Sequence, residues 1–131
     1  MTLEVSLKGR HALVCGASAG IGRETATMVA GMGAEITVLS RRADRLEAML
    51  PDLKRAGAPE AHFLATDMDV RAAFTMAVQS FVSTHSPIQI LINNTGGPAA
   101  GPILYAKEEE FEAAMGRHLL TAQFLVQTLL P

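Results

Sequence analysis

The chain has 131 residues, the size of one domain, and 49% of them are hydrophobic, enough to bury a sizeable core. Eleven basic residues against thirteen acidic ones give a formal net charge of -2, which offers no electrostatic footprint for nucleic acid or an anionic membrane. Its single cysteine, Cys15, excludes an internal disulfide framework, no Cys/His spacing resembles a metal site, and no apolar run approaches the roughly 20 residues of a membrane span.

A soluble chain in a reducing, cytoplasmic setting is expected, with no signal peptide, because Glu4 and Lys8 interrupt the N-terminus. Short β-like runs then alternate with helical periodicity, which predicts an α/β domain. The first strand is predicted at about His11 to Cys15, followed by Gly16-Ala17-Ser18-Ala19-Gly20-Ile21-Gly22. In that stretch Gly16 permits the sharp turn from strand to helix. Gly20 and Gly22 let backbone and pyrophosphate approach, and Ser18 adds a hydroxyl. A helix N-terminus offers unpaired N–H groups to an anion, so the segment has the chemistry of a phosphate cradle. Its spacing is Gly-x-x-x-Gly-x-Gly, distinct from the common Gly-x-Gly-x-x-Gly fingerprint.

The first helix starts at Gly20, with Ile21, Thr25, Met28, Val29 and Met32 predicted as its inward face. Ala34 to Ser40 is apolar enough for a strand covered on both sides. Arg42 to Gly57 is predicted helical with Leu46, Met49, Leu50 and Leu53 inward, kinked or broken at Pro51. Ala61 to Thr66 is the third strand. The third helix carries Val70, Phe74, Ala77, Val78, Phe81 and Val82 on one stripe, with Asp67 or Asp69 as a potential cap, and ends by Ser86-Pro87. Ile88 to Asn93 is the fourth strand, and Asn94 to Pro102 is too rich in glycine and proline for anything but a loop. From about Lys107 to Pro131 a last helix would place Phe111, Met115, His118, Ala122, Leu125 and Leu129 along one side.

Right-handed strand-helix-strand crossovers give a doubly wound parallel sheet whose order begins 3-2-1-4. A ligand is therefore expected above the carboxyl ends of strands one and four, where the glycine turn meets the loop after Asn93.

Two stretches on those elements, Cys15 to Gly22 and Asn93-Asn94-Thr95-Gly96, resemble the Thr-Gly-x-x-x-Gly-x-Gly and Asn-Asn-Ala-Gly motifs of the short-chain dehydrogenase/reductase family. The resemblance covers nearly all of the chain, as the N-terminal half of such an enzyme. It implies a Rossmann-type dinucleotide-binding domain over 1–131, part of a longer reductase similar to 3-oxoacyl-acyl-carrier-protein reductases, acting on a small carbonyl or alcohol as a homodimer or homotetramer. NAD-binding sheets place an acid at the end of strand two. Ser40 stands there, followed by Arg41 and Arg42, and a guanidinium can grip a 2′-phosphate, so NADP(H) is the expected cofactor. The resemblance adds Asp67 and Met68 at the adenine and Asn94, Thr95 and Gly96 at the ribose, beside Gly16, Ser18, Gly20, Ile21 and Gly22 at the phosphates.

The chain also departs from the family pattern. Cysteine replaces the motif's threonine, threonine its alanine, and His118 stands where the family helix carries an active-site asparagine. A histidine there can move a proton near neutral pH, although on an apolar helical face it is more often a buried, satisfied residue. The family's serine and Tyr-x-x-x-Lys are absent: the only tyrosine, Tyr105, has no lysine four residues on. These 131 residues are therefore expected to bind a dinucleotide without turning it over, with strand four an open edge and Leu125, Leu129 and Leu130 partly uncovered. The alternative is a non-catalytic dinucleotide-binding or interaction module. A methyltransferase would want an acid after strand two, and Ser40-Arg41-Arg42 supplies none.

Overall fold

The computed structural model describes residues 4–130. Within them β1 (His11–Cys15), α1 (Gly20–Gly31), β2 (Glu35–Ser40), α2 (Ala43–Ala56), β3 (Ala61–Ala65), α3 (Arg71–Thr84) and β4 (Ile90–Ile92) alternate. Helices α4 (Glu108–Met115) and α5 (Thr121–Leu129) follow, joined by a π-helical turn at Gly116–Leu120. All strand pairs are parallel and the order is β3-β2-β1-β4, as the crossover argument predicts.

Side chains alternate across the central strands and so divide the core in two. Ala12, Val14, Ile36 and Val38 meet α1 and α2 on one face, through Ala26, Val29, Ala30, Leu46, Met49 and Leu53. Leu13, Cys15 and Leu39 face the other way, against Phe74 and Val78 of α3 and Leu125 of α5. Every residue of β1 is buried, which is why Ala12 to Cys15 are apolar without alternation.

Several expectations about helix faces are corrected. The inward face of α1 is Gly22, Ala26, Val29 and Ala30, whereas Ile21 and Met28 are 79% and 63% exposed. The glycine turn holds the start of α1 hard against β1, so only small residues fit beneath it. Helix α2 runs unbroken through Pro51, whose ring is exposed while Leu46, Met49 and Leu53 are buried around it. Packing of that stripe outweighs one lost backbone bond. Neither Asp67 nor Asp69 caps α3: its N-cap is Val70, without a side-chain cap. The last helix is interrupted, because the wide turn at Gly116–Leu120 rotates its first half relative to its second. Phe111 and Met115 are thereby exposed, and Leu125 is fully buried, not partly uncovered as expected. Leu130 is 66% exposed, and Pro131, the expected end of that helix, lies outside the described residues.

At the amino end of the sheet, two of the chain's four histidines, His11 and His62, lie beside the Glu35 carboxylate, and a third, His85, packs against His62. His11, 2% exposed, donates from Nδ1 to the Ser86 carbonyl at 3.0 Å and accepts at Nε2 from the Thr37 hydroxyl at 2.7 Å. Ser86 Oγ donates to Glu35, His62 Nε2 bonds the same carboxylate at 3.0 Å, and His85 stacks on Phe81 with its ring 4.9 Å from that of His62. Burial pushes the His11 pKa below 6.5 despite the Ser86 carbonyl and Glu35. Burial pulls Glu35 upward, but its bonds from Ser86 and His62 outweigh this and leave it below 4.5.

Both shifts act in the same direction. Below about pH 6.5 the unfolded chain takes up a proton that native His11 resists, and below about 4.5 it takes up one that native Glu35 resists. Stability is therefore expected to hold above neutrality and to fall on acidification from 6.5, by at most about 1.4 kcal/mol per pH unit for each such proton. Urea unfolding at pH 7.5, 6.5 and 5.5 checks this; His11→Gln should flatten the slope, and an unchanged slope would remove His11 as its source.

Candidate functional site

The glycine turn leaves β1 with Gly16 at φ +60° and Gly20 at φ +55°, left-handed conformations that a β-carbon disfavours. Gly22 is needed for space: an added β-carbon would overlap the Gly16 carbonyl and lie 2.7 Å from the Asn94 amide nitrogen. Asn94, just beyond β4, donates from Nδ2 to the carbonyls of Cys15 and Gly16, both at 3.4 Å. Strand four is thus tied to the turn. The N-cap of α1 is Ala19, with no side-chain cap and no acidic residue in the first turn, so the partial positive charge of the first N–H groups is not offset from within the helix. Cys15 beside it is buried, and burial pushes its thiol up to about 12, well away from reactivity at neutral pH.

Above the carboxyl ends of the strands the turn opens into a cleft of about 350 Å³. Nine expected residues line it: Gly16 and Ser18 from the turn, Ser40, Arg41 and Arg42 from the end of β2, Asp67 and Met68 after β3, and Thr95 and Gly96 after β4. Gly20 and Gly22 shape the turn from behind, Asn94 braces it, and Ile21 points away into solvent. His118 lies outside the cleft, lining a smaller cavity of about 60 Å³ with Cys15, Thr95 and Leu125. It is exposed, not a core residue, and its Nδ1 lies 2.6 Å from Thr95 Oγ1. Two of the family-motif departures therefore touch each other. Tyr105 is 80% exposed on a short turn and lines neither cavity.

The rim of the cleft is charged. The Arg42 amide donates to Ser40 Oγ at 3.1 Å, fixing the chain beyond β2, and the Arg42 guanidinium lies 3.6 Å from Asp44. Arg41, exposed between them, has no ion-pair partner within 4.0 Å among the described residues. Asp67 accepts the amide of Asp69 at 2.9 Å, a local turn that replaces the capping role considered for both.

Gly97, one of the glycines expected after Asn94, lines the cleft as well, and Leu39, Thr66, Asp69 and Arg117 line it without having been expected there. Arg117, on the π-helical turn, bonds both oxygens of Asp69, at 2.9 Å from Nε and 2.8 Å from Nη2. Its Nη1 reaches the carbonyls of Gly96 and Gly97 at 3.4 and 3.2 Å. This pairing holds the Asp69 carboxyl below its ordinary value and raises Arg117. The two residues are 48 positions apart, so no local pattern announces them; the sequence signal is that Arg117, beside His118, is the sole Lys or Arg after Lys107.

A family model described as short chain dehydrogenase matches residues 10–131. Hydroxysteroid 11-beta-dehydrogenase 1-like protein A of Xenopus laevis is 34% identical over 72% of this chain and 33% of its own length. Dehydrogenase/reductase SDR family member 13 of Bos taurus is 37% identical over 73% of this chain and 26% of its own. L-sorbose reductase of Gluconobacter frateurii, solved with NADPH and L-sorbose, superposes with a TM-score of 0.85 at 27% identity, over 97% of this chain and 48% of that one. A 3-oxoacyl (acyl-carrier-protein) reductase of Agrobacterium tumefaciens with NADP bound gives 0.85 at 25% identity, over 98% of this chain and 49% of that one. The chain spans a third or less of these curated relatives and about half of these solved structures.

Proposed function

Because the chain belongs to the short-chain dehydrogenase family, we propose that its cleft holds NADP(H) for hydride transfer to or from a small carbonyl or alcohol. The observation that carries this is Arg41, an exposed guanidinium without an ion-pair partner among the described residues, on the cleft wall next to Ser40, which stands where a NAD-binding sheet would present an acid. Gly16, Ser18 and the start of α1 are proposed to receive the diphosphate, Asp67 and Met68 the adenine, and Thr95 and Gly96 the adjoining ribose, which their shared lining of the cleft supports. When bound, the nicotinamide supplies the hydride; the chain's own residues supply affinity and orientation. The NADPH and NADP of the solved relatives support the same cofactor.

His118 is proposed as a positioning group at the place of the family asparagine, its ring fixed by the Thr95 hydroxyl. A tyrosine followed by lysine four residues on does not occur in these 131 residues. The chain by itself is therefore proposed to bind the dinucleotide without turning it over, and reduction is proposed for a protein that supplies those groups. The exposed Phe111, Met115, Leu119 and Leu120 support assembly as a dimer or tetramer. No helix among the described residues is long and apolar enough to cross a membrane, and cytoplasmic residence is proposed with it.

Titrating the chain with NADPH and NADH, then assaying carbonyl reduction by the chain and by its encoding reading frame, tests this. Tighter binding of NADPH with no turnover by the 131 residues alone is expected. Binding of neither cofactor would overturn the reading, and turnover by the isolated chain would overturn the need for outside groups. A reading frame that binds NADPH yet reduces no carbonyl would favour the non-catalytic module.

A further inference from the structure

We propose that Arg117 sets the preference for the 2′-phosphorylated dinucleotide without touching it, by neutralising Asp69 and so leaving Arg41 free for the phosphate. The inference rests on the reading of the cleft as an NADP(H) site. Arg117 is not itself a spare cation, because Nε and Nη2 are engaged by Asp69 and Nη1 faces two backbone carbonyls. Asp69 and Arg41 line the same cleft, and the charge of Arg41 contributes to holding the Asp69 carboxyl below its ordinary value. Asp69 therefore lies within the electrostatic reach of the group that is to take the phosphate. Were Arg117 absent, that carboxylate would draw Arg41 to itself and repel a phosphate carrying nearly two negative charges.

The π-helical turn is what makes the arrangement possible. Its wide geometry is anchored by Thr121 Oγ1 donating to the Gly116 carbonyl at 3.0 Å, and it presents adjacent residues to two different loops: Arg117 to Asp69 and Gly96-Gly97, His118 to Thr95. An arginine tying those loops together for structural reasons alone would support NADPH and NADH equally. Charge neutralisation separates the two, because only NADPH brings the additional phosphate.

Calorimetric titration of the chain and of Arg117→Gln, Asp69→Asn, the double variant and Arg117→Lys, each with NADPH and with NADH, tests this. Arg117→Gln is expected to weaken NADPH about tenfold and NADH by less than about threefold, an effect that shrinks as salt is raised. The double variant removes both charges and should regain most of the NADPH preference, while Asp69→Asn alone keeps or tightens NADPH binding. Arg117→Lys keeps the charge without the two-pronged bond and should hold the preference, which serves even where Arg117→Gln does not fold. Equal loss of both cofactors in Arg117→Gln, a double variant without recovery, or loss of preference in Arg117→Lys would each overturn the inference. A wild-type chain that binds neither cofactor or prefers NADH would overturn the reading of the cleft itself, before any substitution is made.

Discussion

Arg41→Asp is expected to weaken NADPH binding by about 100-fold or more while NADH affinity stays within a few-fold. A hydrogen bond to a charged group contributes about 1.5–3 kcal/mol, and each 1.4 kcal/mol is roughly tenfold in affinity. The substitution removes the guanidinium and puts a carboxylate where the 2′-phosphate is proposed to sit, so loss of attraction and new repulsion add. Arg42 is the lesser contributor, because its guanidinium lies 3.6 Å from the Asp44 carboxylate, which already offsets part of its charge. The measurement is a pair of dissociation constants under one salt condition, since exposed charges are screened. Equal weakening of NADPH and NADH would remove Arg41 from the 2′-phosphate and leave it a solvated surface residue.

Gly22→Ala should cost the fold itself about 1–3 kcal/mol and abolish stabilisation by NADPH. An added β-carbon meets the Gly16 carbonyl and the Asn94 amide nitrogen. The first of these is backbone already committed to a left-handed turn, so α1 must move off β1. Overpacking of this kind costs about 1–3 kcal/mol, which for a domain of this size lowers Tm by roughly 4–11 °C. The movement also separates Asn94 from the Cys15 and Gly16 carbonyls and opens the cradle. Thermal unfolding with and without NADPH reads both effects. Gly101→Ala, where an added carbon meets nothing within 4 Å, is the control and should match wild type. A Gly22→Ala chain as stable and as responsive as the control would show that the close approach does not matter.

Much of the site could be read from the sequence because its determinants are local. The turn conformations of Gly16 and Gly20 and the closeness required at Gly22 follow from residues within one strand-turn-helix unit. The expected strand order followed from chain connectivity. Errors began where the choice was between neighbouring helix faces. Ile21 and Met28 look like core residues by periodicity, yet the tightness of the turn gives the buried face to Gly22 and Ala26. His118 looks like part of an apolar stripe, yet one wide helical turn brings it to Thr95.

The sequence by itself determined the alternating α/β architecture, the glycine turn between β1 and α1, and the arginines in place of an acid after β2, since each is specified by adjacent residues and their backbone preferences. Only the tertiary structure decided the far rim of the cleft. The Arg117–Asp69 pair, the Thr95–His118 contact and the brace of Asn94 on the turn join residues between 23 and 79 positions apart. Such pairings depend on how the sheet brings its loops together, and a helix that widens by one residue redirects every side chain beyond it, which neither composition nor periodicity encodes.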